Sequence, residues 1–142
     1  MWTRWLEVTD RWRHAARAKM VSPDAALGRR GEDVAHRFLQ HCGFQVVARN
    51  WRAKSGSEID IVARDGETLV FVEVKSRQSD DFGAPERAVG LEKEQHMLRA
   101  ALEFARRADV GWENLRFDIV GIVFTEPPAI THLRDVIELR RH

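Results

Sequence analysis

The 142-residue chain has a single cysteine, Cys42, which excludes an intrachain disulfide and a cysteine-based zinc cage. No apolar run approaches the ~18 residues that a spanning helix needs, and the N-terminus lacks the apolar core of a signal peptide. Low-complexity tracts and long Pro/Gly/Ser linkers are absent as well. Nor is there an excess of one charge: 23 Lys and Arg face 22 Asp and Glu, a formal net charge of +1. Any nucleic-acid binding must therefore come from a local basic surface. The length suits one domain with one core, and the expected setting is soluble, reducing and cytoplasmic.

Two parts are distinguishable along the chain. In the first, residues 1–22, Trp2, Trp5, Thr9, Trp12 and Ala16 recur at intervals of three and four, one face of a helix. Over residues 1–20, five basic residues against two acidic ones make this segment locally positive. It suits a helix packed on the rest of the domain, a partly disordered terminus, or a docking helix for a protein partner, a membrane surface or nucleic acid.

The second part, residues 23–142, reads as alternating elements. Ser22-Pro23 starts a helix that runs to about Cys42, with Val34, Ala35, Phe38, Leu39 and Cys42 as its apolar stripe and Gly43 as its stop. On this reading Cys42 is a small core residue, and Glu32 lies on the buried side, one turn ahead of the stripe. Strands follow at Phe44–Ala53, Glu58–Arg64 and Glu67–Arg77. A loop through Asp80, Gly83 and Pro85 precedes a second helix over Glu86–Ala108, and further strands are expected at Leu115–Thr125 and Ile130–Leu139. A strand-helix-strand crossover calls for a mixed sheet with helices on its faces.

The stretch GSEIDIVARDGETLVFVEVKSR, residues 56–77, carries charges among strand-forming apolar residues. An Asp65-Gly66 turn would set Arg64 opposite Glu67, Val62 opposite Leu69, Asp60 opposite Phe71 and Glu58 opposite Glu73. Opposed residues share a face, as do residues two apart. Glu58, Asp60, Glu73 and Lys75 would then project from one side, with Ile59, Ile61, Val70, Val72 and Val74 forming the core on the other. Asp60 and Glu73 become diagonal neighbours, able to converge on a hard cation such as Mg2+ or Mn2+ together with the Val74 carbonyl and water. Lys75 enters the same space, where it can hold a phosphate oxygen or position an attacking water. An isolated Glu-x-Lys is most often a solvated ion pair. Here Val62, Leu69 and Phe71 share its face, and Glu32 comes from the helix expected to cover it.

The spacing Asp-x12-Glu-x-Lys resembles the PD-(D/E)xK nuclease superfamily. More closely, GRRGEDVAHRFLQHCGFQVVARNWR, SEIDIVARDGETLVFVEVKSR, LEKEQHML and LRFDIVGI are similar to the YraN-like family of uncharacterised small bacterial proteins, itself similar to archaeal Holliday-junction resolvases. The resemblance implies an α/β, restriction-endonuclease-like fold: a mixed β-sheet flanked by helices in the order α-β-β-β-α-β-β, here with an extra N-terminal helical segment. It also implies Glu32, Asp60, Glu73 and Lys75 as catalytic residues, Asp60 and Glu73 as ligands of Mg2+ or Mn2+, and Lys93 as a phosphate contact from the second helix. Asp118 matches the family too but is read as structural, paired with Arg116 or with a strand end. Arg29, Arg30, Arg49, Arg52 and Lys54 lie in segments bordering the site and are expected to bind nucleic acid. The expected activity is structure-selective hydrolysis of DNA, branched structures and junctions included. Other readings are a non-catalytic nucleic-acid-binding or protein-interaction module, or a structural domain whose N-terminal segment recruits a partner. The partners allowed are nucleic acid, a second copy in a homodimer, and a protein engaged by the N-terminal segment.

Overall fold

The computed structural model describes residues 23–78 and 90–139. Expectations for the N-terminal segment 1–22, for the loop and first helical residues over 79–89 and for residues 140–142 lie outside them.

Helix α1 spans Pro23–His41. Its end is set by Gly43 at φ 91°, a left-handed turn that glycine adopts without a Cβ penalty. The amide of Gly43 donates to the Gln40 carbonyl and that of Phe44 to the Leu39 carbonyl, which satisfies carbonyls the helix leaves open. Ala35 and Leu39 are fully buried and Val34 and Phe38 partly so. The expectation of a core Cys42 is corrected: its side chain is exposed, because position 42 falls at the cap, where the chain turns away from the helix face.

Strands β1 (Gln45–Arg52), β2 (Glu58–Asp65), β3 (Thr68–Arg77), β4 (Leu115–Val123) and β5 (Ala129–Leu133) form one sheet in sequence order. Only β3 and β4 run parallel, and helix α2 (Leu91–Ala108) lies on the crossover between them. The architecture is thus the expected mixed α/β one, with the elements in the expected order. Helix α2 starts at Leu91, with Gly90 extended at ψ 149° as its N-cap. β5 stops six residues before the expected Leu139: Asp135 takes φ 56°, and the chain returns Ile137 to the core.

Both faces of the sheet are covered. Ile61, Val70, Val72, Val120 and Ile122 pack under α1, while Val62, Leu69, Phe71 and Phe117 pack under α2. The one-sided core expected for the hairpin is therefore corrected to two, and Ile59 belongs to the α2 side. Phe71 stacks on Phe117 and meets Phe104 edge to face; burying each such ring contributes roughly 1.5–3 kcal/mol.

The hairpin register differs from the Asp65-Gly66 expectation. Asp65 pairs with Thr68, Arg64 with Leu69 and Val62 with Phe71, so the loop is Gly66-Glu67. Gly66 alone has positive φ, 60°, while Asp65 and Glu67 do not; glycine therefore takes the first loop position, as a type II′ turn requires. The shift is two residues, so every side chain within the paired ladder keeps its face; Ile59, beyond it, does not.

Helix α1 lies against β3 at Gly31. A Cβ there would collide with Ser76 Oγ and lie 2.9 Å from Ser76 Cβ. Gly31→Ala is expected to cost about 1–3 kcal/mol through overpacking, read as a lower urea midpoint. Ser76→Gly in the same chain should recover most of the loss, and failure to recover would remove this contact as the cause.

Candidate active site

The β2–β3 ladder ends at Ile61–Val72. One step beyond, where Asp60 and Glu73 would form the next pair, the Asp60 side chain replaces the ladder: its Oδ2 accepts from the Val74 amide at 2.8 Å. The register correction thus makes Asp60 and Glu73 direct rather than diagonal neighbours. Burial, then the charge of Glu73, push the Asp60 pKa up from 3.8 to about 7, against the Val74 amide, which lowers it; Glu32 adds to the rise. Repulsion between two acids in a poorly solvated site is relieved by a proton or by a nearby positive charge.

Glu73 is paired from α2: Lys93 Nζ lies 2.8 Å from its Oε1, with the glutamate side chain 16% exposed. Burial opposes the ammonium form of Lys93, but the hydrogen bond and charge of Glu73 prevail, so its pKa is raised. Glu32 arrives from α1, held by Asn50 Nδ2 on its Oε2 at 2.9 Å. Burial raises its pKa, partly offset by Asn50 and then by Arg49. Its charge reaches Asp60, so Glu32, Asp60, Glu73 and Lys93 form one electrostatic unit. Lys75, half-buried on β3 two residues past Glu73, makes no ion pair among the described residues. Glu58 leaves the expected like-charge pair with Glu73 and meets Arg52 across β1 at 3.3 Å.

The basic residues divide. Arg52 and Lys54 are exposed at the end of β1, and the Lys54 backbone amide donates to Glu103. Arg30 is exposed and lies over the Phe124 ring, 4.2 Å from its centroid; Arg29 is half-buried on α1. Arg49 is 6% exposed and reaches Asp33 at 2.7 Å and Glu32 at 3.6 Å, so its guanidinium ties α1 to β1. Among the described residues no three His, Cys, Asp or Glu side chains come together as a metal-binding group. A cation at Asp60 and Glu73 would complete its shell with carbonyl and water oxygens, the habit of Mg2+.

Asp118 stands apart from the site, as a structural residue. Fully buried, it accepts from Arg116 at 2.9 and 3.0 Å and from the Asp135 amide at 3.0 Å, and pairs with His132 Nε2 at 2.8 Å. Sequence reading named Arg116 but missed His132. It also missed Asn50, although an asparagine within an otherwise buried strand is uncommon and was the available signal.

Fold and residues together define the class: a mixed α/β domain carrying an Asp-x12-Glu-x-Lys arrangement where two strands part. The chain belongs to the uncharacterised protein family UPF0102, the YraN-like family, whose model matches residues 31–122. That span contains each acid and lysine of the site and excludes Arg29 and Arg30. The chain is similar to a UPF0102 protein of Solibacter usitatus, 53% identical over 108 residues, covering 75% of this chain and 82% of the relative. A relative from Nocardia farcinica is 44% identical over 118 residues, 82% and 92% of the two chains. One from Geobacter sulfurreducens is 43% identical over 115 residues, 80% and 89%. Among the described residues no helix is long and apolar enough to cross a membrane.

Proposed function

We propose that the protein is a divalent-cation-dependent nuclease that hydrolyses phosphodiesters in DNA, selecting structure rather than sequence. The observation that carries this reading is the Asp60 carboxylate at the strand divergence, with its pKa pushed up to about 7 by burial and by Glu73. Hard carboxylate oxygens suit Mg2+ or Mn2+, and Asp60 and Glu73 would hold the ion. Bound there, it would supply Lewis-acid polarisation of the phosphate and a more acidic water.

The chain's own residues do the rest. Lys75, without an internal ion pair among the described residues, is available to orient a water or a phosphate oxygen. Lys93, 2.8 Å from Glu73 Oε1, brings a second positive charge for phosphate. Arg29, Arg30, Arg52 and Lys54 would contact flanking phosphates, giving an affinity that falls as salt rises. No base-reading element stands out, which favours recognition of shape, with branched or junction DNA as the first substrates to try.

A second reading is favoured by one contact. Lys93 already neutralises Glu73 at 2.8 Å, as it would in a non-catalytic nucleic-acid-binding or protein-interaction module with a permanent counter-ion. A panel of single-stranded, duplex, flapped and four-way-junction DNA, plus RNA, incubated with Mg2+ or Mn2+, separates the two. The nuclease reading expects cleavage that drops about 10²-fold or more in Lys75→Ala, the lower end of general acid–base contributions. Cleavage that survives undiminished in Lys75→Ala and Asp60→Asn comes from a contaminant and sinks the assignment.

A further inference from the structure

We propose that Asn50 positions the Glu32 carboxylate in this site, a role that rests on the nuclease-type reading above. Consecutive strand residues point to opposite faces, yet Arg49 and Asn50 both reach Glu32, at 3.6 and 2.9 Å. The backbone makes this happen. Asn50 sits at φ 50°, in the left-handed region that asparagine enters more readily than most residues, and pairing resumes one residue later with Trp51 opposite Ile59. One asparagine thus supplies both the break in alternation and the amide that uses it.

Asn50 donates to Oε2, and the Arg49 guanidinium pairs with the same oxygen. Glu32 Oε1 therefore has no protein donor among the described residues and is the oxygen left for a ligand or water. The Asn50 hydrogen bond also opposes the rise in Glu32 pKa caused by burial, which favours the ionised form in a site that already contains Asp60 and Glu73. The mechanical tie between α1 and β1 does not depend on Asn50, since Arg49 bonds Asp33 at 2.7 Å. Orientation of Glu32 is then separable from folding.

The test is Asn50→Gly in the full chain, which keeps the left-handed backbone and removes the amide. Expected are a circular-dichroism spectrum and melting temperature close to the parent's, a displaced carbonyl-carbon NMR resonance for the Glu32 side chain, and Mn2+ affinity lower by about 10-fold, the low end for residues that orient metal-site groups. In a Glu32→Gln background the same change should leave Mn2+ affinity where Glu32→Gln alone puts it, because the two residues act as a pair. An unmoved Glu32 resonance with unchanged Mn2+ affinity overturns the proposal, as does an equal Mn2+ loss in both backgrounds. If the parent neither binds Mn2+ nor cuts DNA while the resonance still moves, the positioning contact stands and the nuclease reading falls.

Discussion

Asp60→Asn is expected to raise stability at pH 8, to have little effect near pH 4, and to abolish both Mn2+ stabilisation and cleavage. The sign follows from the raised pKa. In the folded protein Asp60 titrates at about 7, against 3.8 as the ordinary value. The native state therefore binds the proton more tightly than the unfolded chain, and stability falls as pH rises from about 4 to about 7, then levels. At ~1.4 kcal/mol for each tenfold change in proton affinity, the cost of ionising Asp60 is on the order of a few kcal/mol. Asparagine is neutral at every pH, and its carbonyl can still accept from the Val74 amide, so it avoids the penalty and keeps the bond. Thermal melts of both proteins from pH 4 to 8, with and without Mn2+, read all of this. A variant less stable than the parent at pH 8 would show that Asp60 is not held against its charge.

The largest loss of stability is expected from Asp118→Ala. Its carboxylate joins Arg116, His132 and the Asp135 amide, linking β4, β5 and the segment after β5. Its removal leaves the Asp135 amide and the half-buried Arg116 without their shared acceptor, though Arg116 retains Asp65 at 3.1 Å. Breaking a buried pair on one side typically costs about 3–5 kcal/mol, which corresponds to a fall of roughly 10 °C or more in a domain of this size. Burial by itself would raise the Asp118 pKa, but hydrogen bonds from His132, Arg116 and the Asp135 amide outweigh it and hold the pKa below 3.8. The stabilisation is thus present above the ordinary carboxylate range and lost as pH falls through the lowered folded value. The gap between parent and variant should narrow in acid. A melting difference under about 2 °C at pH 7 would show that the network contributes little.

The placement of the hairpin charges was legible because strand periodicity is two. A two-residue error in register leaves each side chain of the Ile61–Asp65 and Thr68–Val72 ladder on its expected face, and Asp60 and Glu73 still meet electrostatically just past its end. What moved was the partner: Glu73 became the residue opposite Asp60, and Glu58 went to Arg52. Turn chemistry decided this, since Asp-Gly in the sequence does not say which residues occupy the loop, and only Gly66 accepts the positive φ. Lys93 at Glu73 was foreseeable in direction from its place four residues before buried Met97, but its 2.8 Å contact depends on how α2 crosses the sheet.

Sequence alone determined the order of elements, the α1 stop at Gly43 and the acidic character of the strand ends, because periodicity and backbone preference are local. Tertiary structure decided the rest. It covered the charged face with a second core, turned Arg49 inward, brought Asn50 to Glu32 and surrounded Asp118 with donors. Arg49 and Asn50 meet residues of α1 at least 16 positions away, and His132 and Asp135 reach Asp118 from 14 and 17 positions away. Packing fixes such distances where local propensity cannot.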